Sequence, residues 1–227
     1  MDFSIERSNV NERMQQVRDF LTFIKTQESE DTPPLDTNIV KTLRGLFFVH
    51  LYAAFEKSVN EGVEQYLQSV GSLNIKYSDI VNVFLPTALD AKFTSLQSGE
   101  RWQSRVDFSK MLESEEICLI NNSVFSMYLQ NTKSKVLENI ALYIGISNKY
   151  FPNERDSHYL DEVVEKRNQV AHGRNTPITI GASGRAVDLE IRIDAVNRIL
   201  ENFFEILEDN FNSLNFVKIE NKATYKK

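Results

Sequence analysis

Apolar residues in this chain recur mostly at three- and four-residue steps, the spacing that gives a helix one buried face. Val10, Met14, Val17, Phe20, Leu21 and Ile24 follow it within Phe3 to Lys25. This first predicted helix stops before a polar stretch and Pro33-Pro34, which cannot continue it. A longer helix is predicted from about Thr37 to Val70, where Ile39, Leu43, Leu46, Phe47, Leu51, Val59, Val63 and Leu67 belong to a broad apolar face and Gly71 closes the run.

Residues 78 to 130 are more broken, because Pro86 and Asn121-Asn122 interrupt apolar runs; two or three short helices and a brief extended segment near Ile117 to Ile120 are expected. Periodicity resumes at Val136, Ile140, Tyr143 and Ile144 and stops near Gly145. A further helix, about Ser157 to Ala171, puts Leu160, Val163, Val164, Val170 and Ala171 on one side, with Gly173 and Pro177 as its stop. The period then switches to two over residues 178 to 193: Ile178 and Ile180, a Gly181-Ala-Ser-Gly184 turn, then Val187, Leu189, Ile191 and Ile193. Alternation of this kind predicts a small hairpin or extended arm. The last helix is expected to start at an Asp194 N-cap and to carry Val196, Ile199, Leu200, Phe203, Leu207, Phe211 and Leu214. The expected organisation is an all-α chain: an N-terminal helix (1–30) packed on a core domain (37–215), an irregular insertion around 72–135, and a frayed tail (216–227).

Composition narrows the function classes. The 227 residues carry 26 Lys+Arg against 32 Asp+Glu, a net charge of -6, so the chain lacks the basic excess of proteins that coat nucleic acid by bulk electrostatics. A nuclease with a small basic pocket remains compatible. Met1-Asp-Phe-Ser-Ile-Glu-Arg7 places charges where a signal peptide needs an apolar core, and no window suits a membrane span, so a cytoplasmic location is expected. The single cysteine, Cys118, excludes an intrachain disulfide and a cysteine-based zinc site. Three dispersed histidines argue against a histidine-based metal site.

The segment that carries chemistry is Glu165-Lys-Arg-Asn-Gln-Val-Ala-His-Gly-Arg174. Arg167 falls four residues after Val163 and so on the apolar stripe, where a permanent charge needs a partner or a phosphate. Asn168 and His172 lie four apart, one turn from each other. His172 ends the helix, where the carbonyl end of the helix dipole favours positive charge, which suits a residue that accepts and donates protons. A bland reading fits the same spacing: a C-capping histidine, and an arginine that snorkels or pairs with a carboxylate such as Glu56.

Arg167-Asn-Gln-Val-Ala-His172 resembles the arginine, polar residue, spacer, histidine signature of the HEPN superfamily. The glycine after it and the long helix that follows agree with that signature, and Leu46-Phe-Phe-Val-His-Leu-Tyr-Ala-Ala-Phe-Glu56 is similar to the long helix of HEPN proteins of bacterial conflict systems. The resemblance implies a HEPN-like helical bundle that pairs with itself through the motif helices, and a metal-independent endoribonuclease with no cofactor. Such members are often toxins or antiphage effectors, some with an antitoxin or defence-system partner, and they leave 2′,3′-cyclic phosphate ends on RNA. Catalysis would rest on Arg167, His172 and Asn168, with Glu56, Lys166 and Arg174 in support, Asn168 orienting the histidine or a phosphate oxygen. HEPN toxins silenced by a nucleotidyltransferase usually carry a tyrosine two residues after the histidine; here that residue is Arg174.

Other candidates are weaker. Glu56 could form a structural ion pair with Arg44 or Arg167, or could position Arg167 or His172. His50 on the apolar face reads as a core histidine, and His158 as a surface residue. Trp102, within Glu100-Arg-Trp-Gln-Ser-Arg105, could stack on a base or simply pack. An alternative to the nuclease is a silent HEPN-like module that binds RNA or protein and regulates a partner.

Overall fold

In this computed structural model the described residues are 2–96, 102–146, 150–151 and 153–226. Among them the chain forms ten α-helices and no strand: α1 (Ser4–Gln27), α2 (Asn38–Gly71), α3 (Leu85–Ala88), α4 (Asp90–Leu96), α5 (Trp102–Leu112), α6 (Ser134–Tyr143), α7 (Glu154–Ala171), α8 (Pro177–Gly181), α9 (Ala186–Asn212) and α10 (Lys222–Tyr225). Helix α2 is the axis of the bundle and packs against α1, α7, α8 and α9. Its start is set by Thr37, whose hydroxyl accepts from the Val40 N–H at 3.3 Å. Phe47, Leu51, Phe55, Val59, Val63 and Leu67 are buried, whereas Ile39 and Leu46 at the edge of the stripe face solvent. Phe3 and Met14 of the first segment and Phe203, Phe204 and Leu207 of α9 close the same core.

Two charged clusters tie the helices together. Arg44 on α2, 2% exposed, holds Glu28 and Asp36, each at 2.9 Å. Glu28 also accepts from the Ala186 N–H at 2.8 Å and faces Arg185, so the α1–α2 connection is fastened to the start of α9. Asp156, fully buried in α7, takes a two-pronged grip from Arg198 of α9 at 3.0 and 2.7 Å.

The arm expected at 178–193 is helical. Thr176 caps α8 by accepting from Thr179 N–H, and Pro177 occupies its first turn, so this proline starts a helix where it was expected to end one. Helix α9 begins at Ala186, not Asp194; Asp188 accepts from the Arg185 N–H at 2.7 Å in a capping box. The period-two signal arises because Val187 and Ile191 are exposed apolar residues interleaved with buried Leu189 and Ile193, so only the second pair, with Ala186 and Val196, marks the core face. Asp194 is mid-helix and faces Arg18 at 3.5 Å.

The region between α2 and α6 holds short helices and turns, with isolated antiparallel bridges Lys76–Ile117 and Ile80–Val217. Residues 216–226 differ from a frayed tail: Phe216 and Val217 are buried, and Tyr225 donates to Asp79 Oδ2 at 2.6 Å. Cys118 is buried, and burial pushes its thiol up to about 11 against a smaller lowering by Tyr77. Among the described residues no helix is long and apolar enough to cross a membrane.

Candidate active site

Helix α7 starts three residues before the predicted Ser157, at an Asn153 cap that accepts from Arg155 N–H. Its buried stripe runs through Asp156, Leu160, Val163 and Val164 and reaches Arg167 at the next helical step, where the stripe emerges at the surface. Val170 is partly buried and Ala171 is exposed, so the apolar face ends one turn earlier than expected.

Arg167 is 21% exposed at its side chain and is held on several sides. Its Nη1 donates to Asn168 Oδ1 at 2.7 Å, its Nη2 faces Glu56 Oε2 at 3.7 Å, and its Cζ lies 4.3 Å from the centroid of the Tyr52 ring. Tyr52 in turn donates to Glu56 Oε1 at 2.8 Å and accepts the Thr132 N–H at 2.8 Å. Burial, reinforced by the neighbouring Glu56 carboxylate, raises the Tyr52 phenol well above its ordinary value, which keeps it a donor. Asn168 Nδ2 completes the cluster by donating to Asn131 Oδ1 at 3.1 Å. In this arrangement the Asn168 amide bonds Arg167 through its oxygen and Asn131 through its nitrogen, and makes no bond to the imidazole of His172.

His172 is the C-cap of α7, one turn beyond Asn168, whose carbonyl accepts the His172 N–H at 3.0 Å. Gly173 then takes φ +66°, in the left-handed region, and lets the N–H groups of Arg174 and Asn175 both return to the Gln169 carbonyl at 2.9 and 3.1 Å. That turn releases the chain so that His172 and Arg174 face solvent. Among the described residues neither the His172 imidazole nor the Arg174 guanidinium has a hydrogen-bond or ion-pair partner. Both sit at the carbonyl end of the α7 dipole.

Arg167, Asn168 and Glu56 thus come together, and His172 stands one turn away. Lys166 lies apart from them: it pairs with Glu162 at 2.6 Å and rests 4.6 Å from the centroid of the Phe48 ring, and Glu162 is shared with Arg192. Glu56 pairs with Arg167, whereas Arg44 belongs to the Glu28–Asp36 cluster. His50 is half-buried against Phe20, its ring centroid 5.7 Å away, and His158 is exposed. Trp102 is 70% exposed with Arg105 stacked at 4.7 Å, while Glu100 and Arg101 lie outside the described residues. Tyr52 and Asn131 join the cluster without having been anticipated. Tyr52 carried a signal, lying one turn before Glu56 on the same helix; Asn131 carried none, since only the fold of the 128–132 turn brings it to α7. No three His, Cys, Asp or Glu side chains among the described residues gather as a metal cluster would.

No curated protein and no solved structure gives a significant match to this chain. The profile of one family, described as RiboL-PSP-HEPN, matches residues 8–209, which takes in α2, the motif helix α7 and nearly all of α9. An all-α bundle whose long second helix faces an Arg-Asn-x-x-x-His helix is what that match covers, and the chain belongs to this family of the HEPN superfamily.

Proposed function

We propose that this HEPN-domain protein is a metal-independent endoribonuclease that acts as a homodimer, with a toxin or antiphage role. The observation that carries the reading is the pairing, on one helix end, of a pre-positioned Arg167 with a solvent-facing, unpartnered His172. In such a site one imidazole takes the proton of a ribose 2′-hydroxyl as its oxygen attacks the adjacent phosphorus. The bond from phosphorus to the 5′-oxygen breaks, and that oxygen takes a proton from a second, protonated imidazole. The products are a 2′,3′-cyclic phosphate and a free 5′-hydroxyl, and the nucleophile comes from the RNA itself. Arg167 would hold the added negative charge of the five-coordinate phosphorus. Two copies of the motif in a twofold dimer supply the two histidines.

A second reading is a silent module that binds RNA or protein and regulates a partner. It is favoured by the engagement of the Arg167 guanidinium with Tyr52, Glu56 and Asn168, which a purely structural arginine would also show. Cleavage by the wild type and its loss in His172→Ala separates the two: the nuclease loses fragments, whereas the module binds RNA equally in both forms and cuts it in neither.

A further inference from the structure

We propose that Tyr52 and Asn131 are positioning residues that clamp Arg167 in its working orientation, which makes the 128–132 turn an integral part of the site; the claim rests on the nuclease reading above. Tyr52 is 1% exposed, and a phenylalanine would fill the same volume and offer the same ring face to Arg167. What the hydroxyl adds is two bonds in a dry place: it fixes Glu56, which faces Arg167 Nη2, and it catches the N–H of Thr132. One residue earlier in the same turn, Asn131 Oδ1 accepts from Asn168, whose own oxygen receives Arg167 Nη1. The turn itself is anchored, since Leu129 and Thr132 are buried and Thr132 Oγ1 donates to the Leu129 carbonyl at 2.8 Å.

Two adjacent residues of one turn therefore bond to two different helices, Thr132 to α2 and Asn131 to α7, and both routes converge on the same guanidinium. Nη1, Nη2 and one face of the Arg167 guanidinium are engaged, while the side chain stays 21% exposed and so within reach of a phosphate oxygen. A donor fixed before substrate arrives stabilises developing charge without reorganising, so the clamp should act on turnover more than on binding.

The test compares steady-state cleavage of a fluorescent oligoribonucleotide by wild type, Tyr52→Phe, Asn131→Ala and Asn131→Asp, together with the Arg167 Nε–H resonance in each, assigned by its disappearance in Arg167→Ala. Tyr52→Phe and Asn131→Ala are expected to lower kcat about tenfold or more, as misplaced catalytic groups do, with KM within about twofold. Asn131→Asp, which keeps an acceptor for Asn168, should recover most of the loss. The resonance should shift or broaden in the two damaging variants and return in Asn131→Asp. Unchanged kcat, or a rise in KM alone, overturns the proposal. If the wild type cuts no RNA, the nuclease reading fails and the catalytic role of the clamp fails with it. The resonance separates the two failures: unmoved in Tyr52→Phe and Asn131→Ala, it shows that no clamp exists.

Discussion

Gly45 on α2 lies directly against the carbonyl of Pro177 on α8, with no room for a side chain between them. Gly181, at the other end of α8, makes the reciprocal approach to the α2 backbone at Lys41 and Gly45. The short helix that links the motif helix to α9 is thereby pressed onto α2 backbone to backbone.

Gly45→Ala should therefore cost about 3 kcal/mol or more, as overpacking does where only backbone could yield. Gly173→Ala meets no atom within 4 Å and should cost only about 1–2 kcal/mol, from its positive φ. Thermal unfolding of the two variants checks the order; equal losses would mean that α8 is not pinned as described.

The Arg44 cluster is expected to behave as a buried ion pair. Its side chains are 3% (Arg44), 9% (Glu28) and 6% (Asp36) exposed, so Arg44→Ala strands two carboxylates and should cost about 3–5 kcal/mol in urea unfolding. Lys25→Ala, which breaks an exposed pair with Glu190, should cost under about 1 kcal/mol.

The pH dependence of stability follows from groups at both ends of the scale. Burial pushes the Asp36 carboxyl up, but the Ser29 N–H and Arg44 outweigh it and hold Asp36 below its ordinary 3.8; Glu162 is likewise held below 4.5 by Lys166 and Arg192 against burial. Both contribute stability that is complete above those ordinary values and is lost as pH falls through the lower folded-state values. Burial raises the phenols of Tyr52, Tyr66 and Tyr150, so their contribution is present below the ordinary 10.0 and is lost as pH rises beyond it. Unfolding free energy should fall below about pH 4 and above about pH 10; Asp36→Asn should flatten the acid limb, and Tyr52→Phe the alkaline one.

Much of this was legible in the sequence, for identifiable reasons. Helices α1, α2 and α7 and the body of α9 carry uninterrupted three- and four-residue periodicity, and Thr37 and Gly173 mark ends that local chemistry alone decides. The alternation over 178–193 points to a hairpin only because Val187 and Ile191 are apolar yet exposed, and period alone does not tell a core residue from an exposed one. Arg167, Asn168 and His172 were visible as a motif on one helix. Their supports are less legible: Lys166, expected as a supporting residue of the site, is occupied by Glu162 and Phe48, and the Asn131 contact depends on a turn in the region with the weakest periodicity.

Affinity for RNA should reflect those placements. Arg174→Ala, which removes an exposed guanidinium, should weaken binding of single-stranded RNA and reduce the slope of log K against log salt by about 0.7, the value of one phosphate contact. Lys166→Ala should leave that slope unchanged, since its ammonium is bound to Glu162. Filter binding across a salt series measures both.

His172→Ala should change stability by less than about 0.5 kcal/mol, because the imidazole is exposed and without partners. Its effect on cleavage should instead be about a hundredfold or more, the worth of a general acid or base. The most direct measurement is cleavage of total and transfer RNA in excess chelator by wild type and His172→Ala, with the fragment ends mapped. Fragments ending in 2′,3′-cyclic phosphate that vanish in the variant are the result expected of this site; intact RNA with the wild type, or equal cleavage by both proteins, would contradict it.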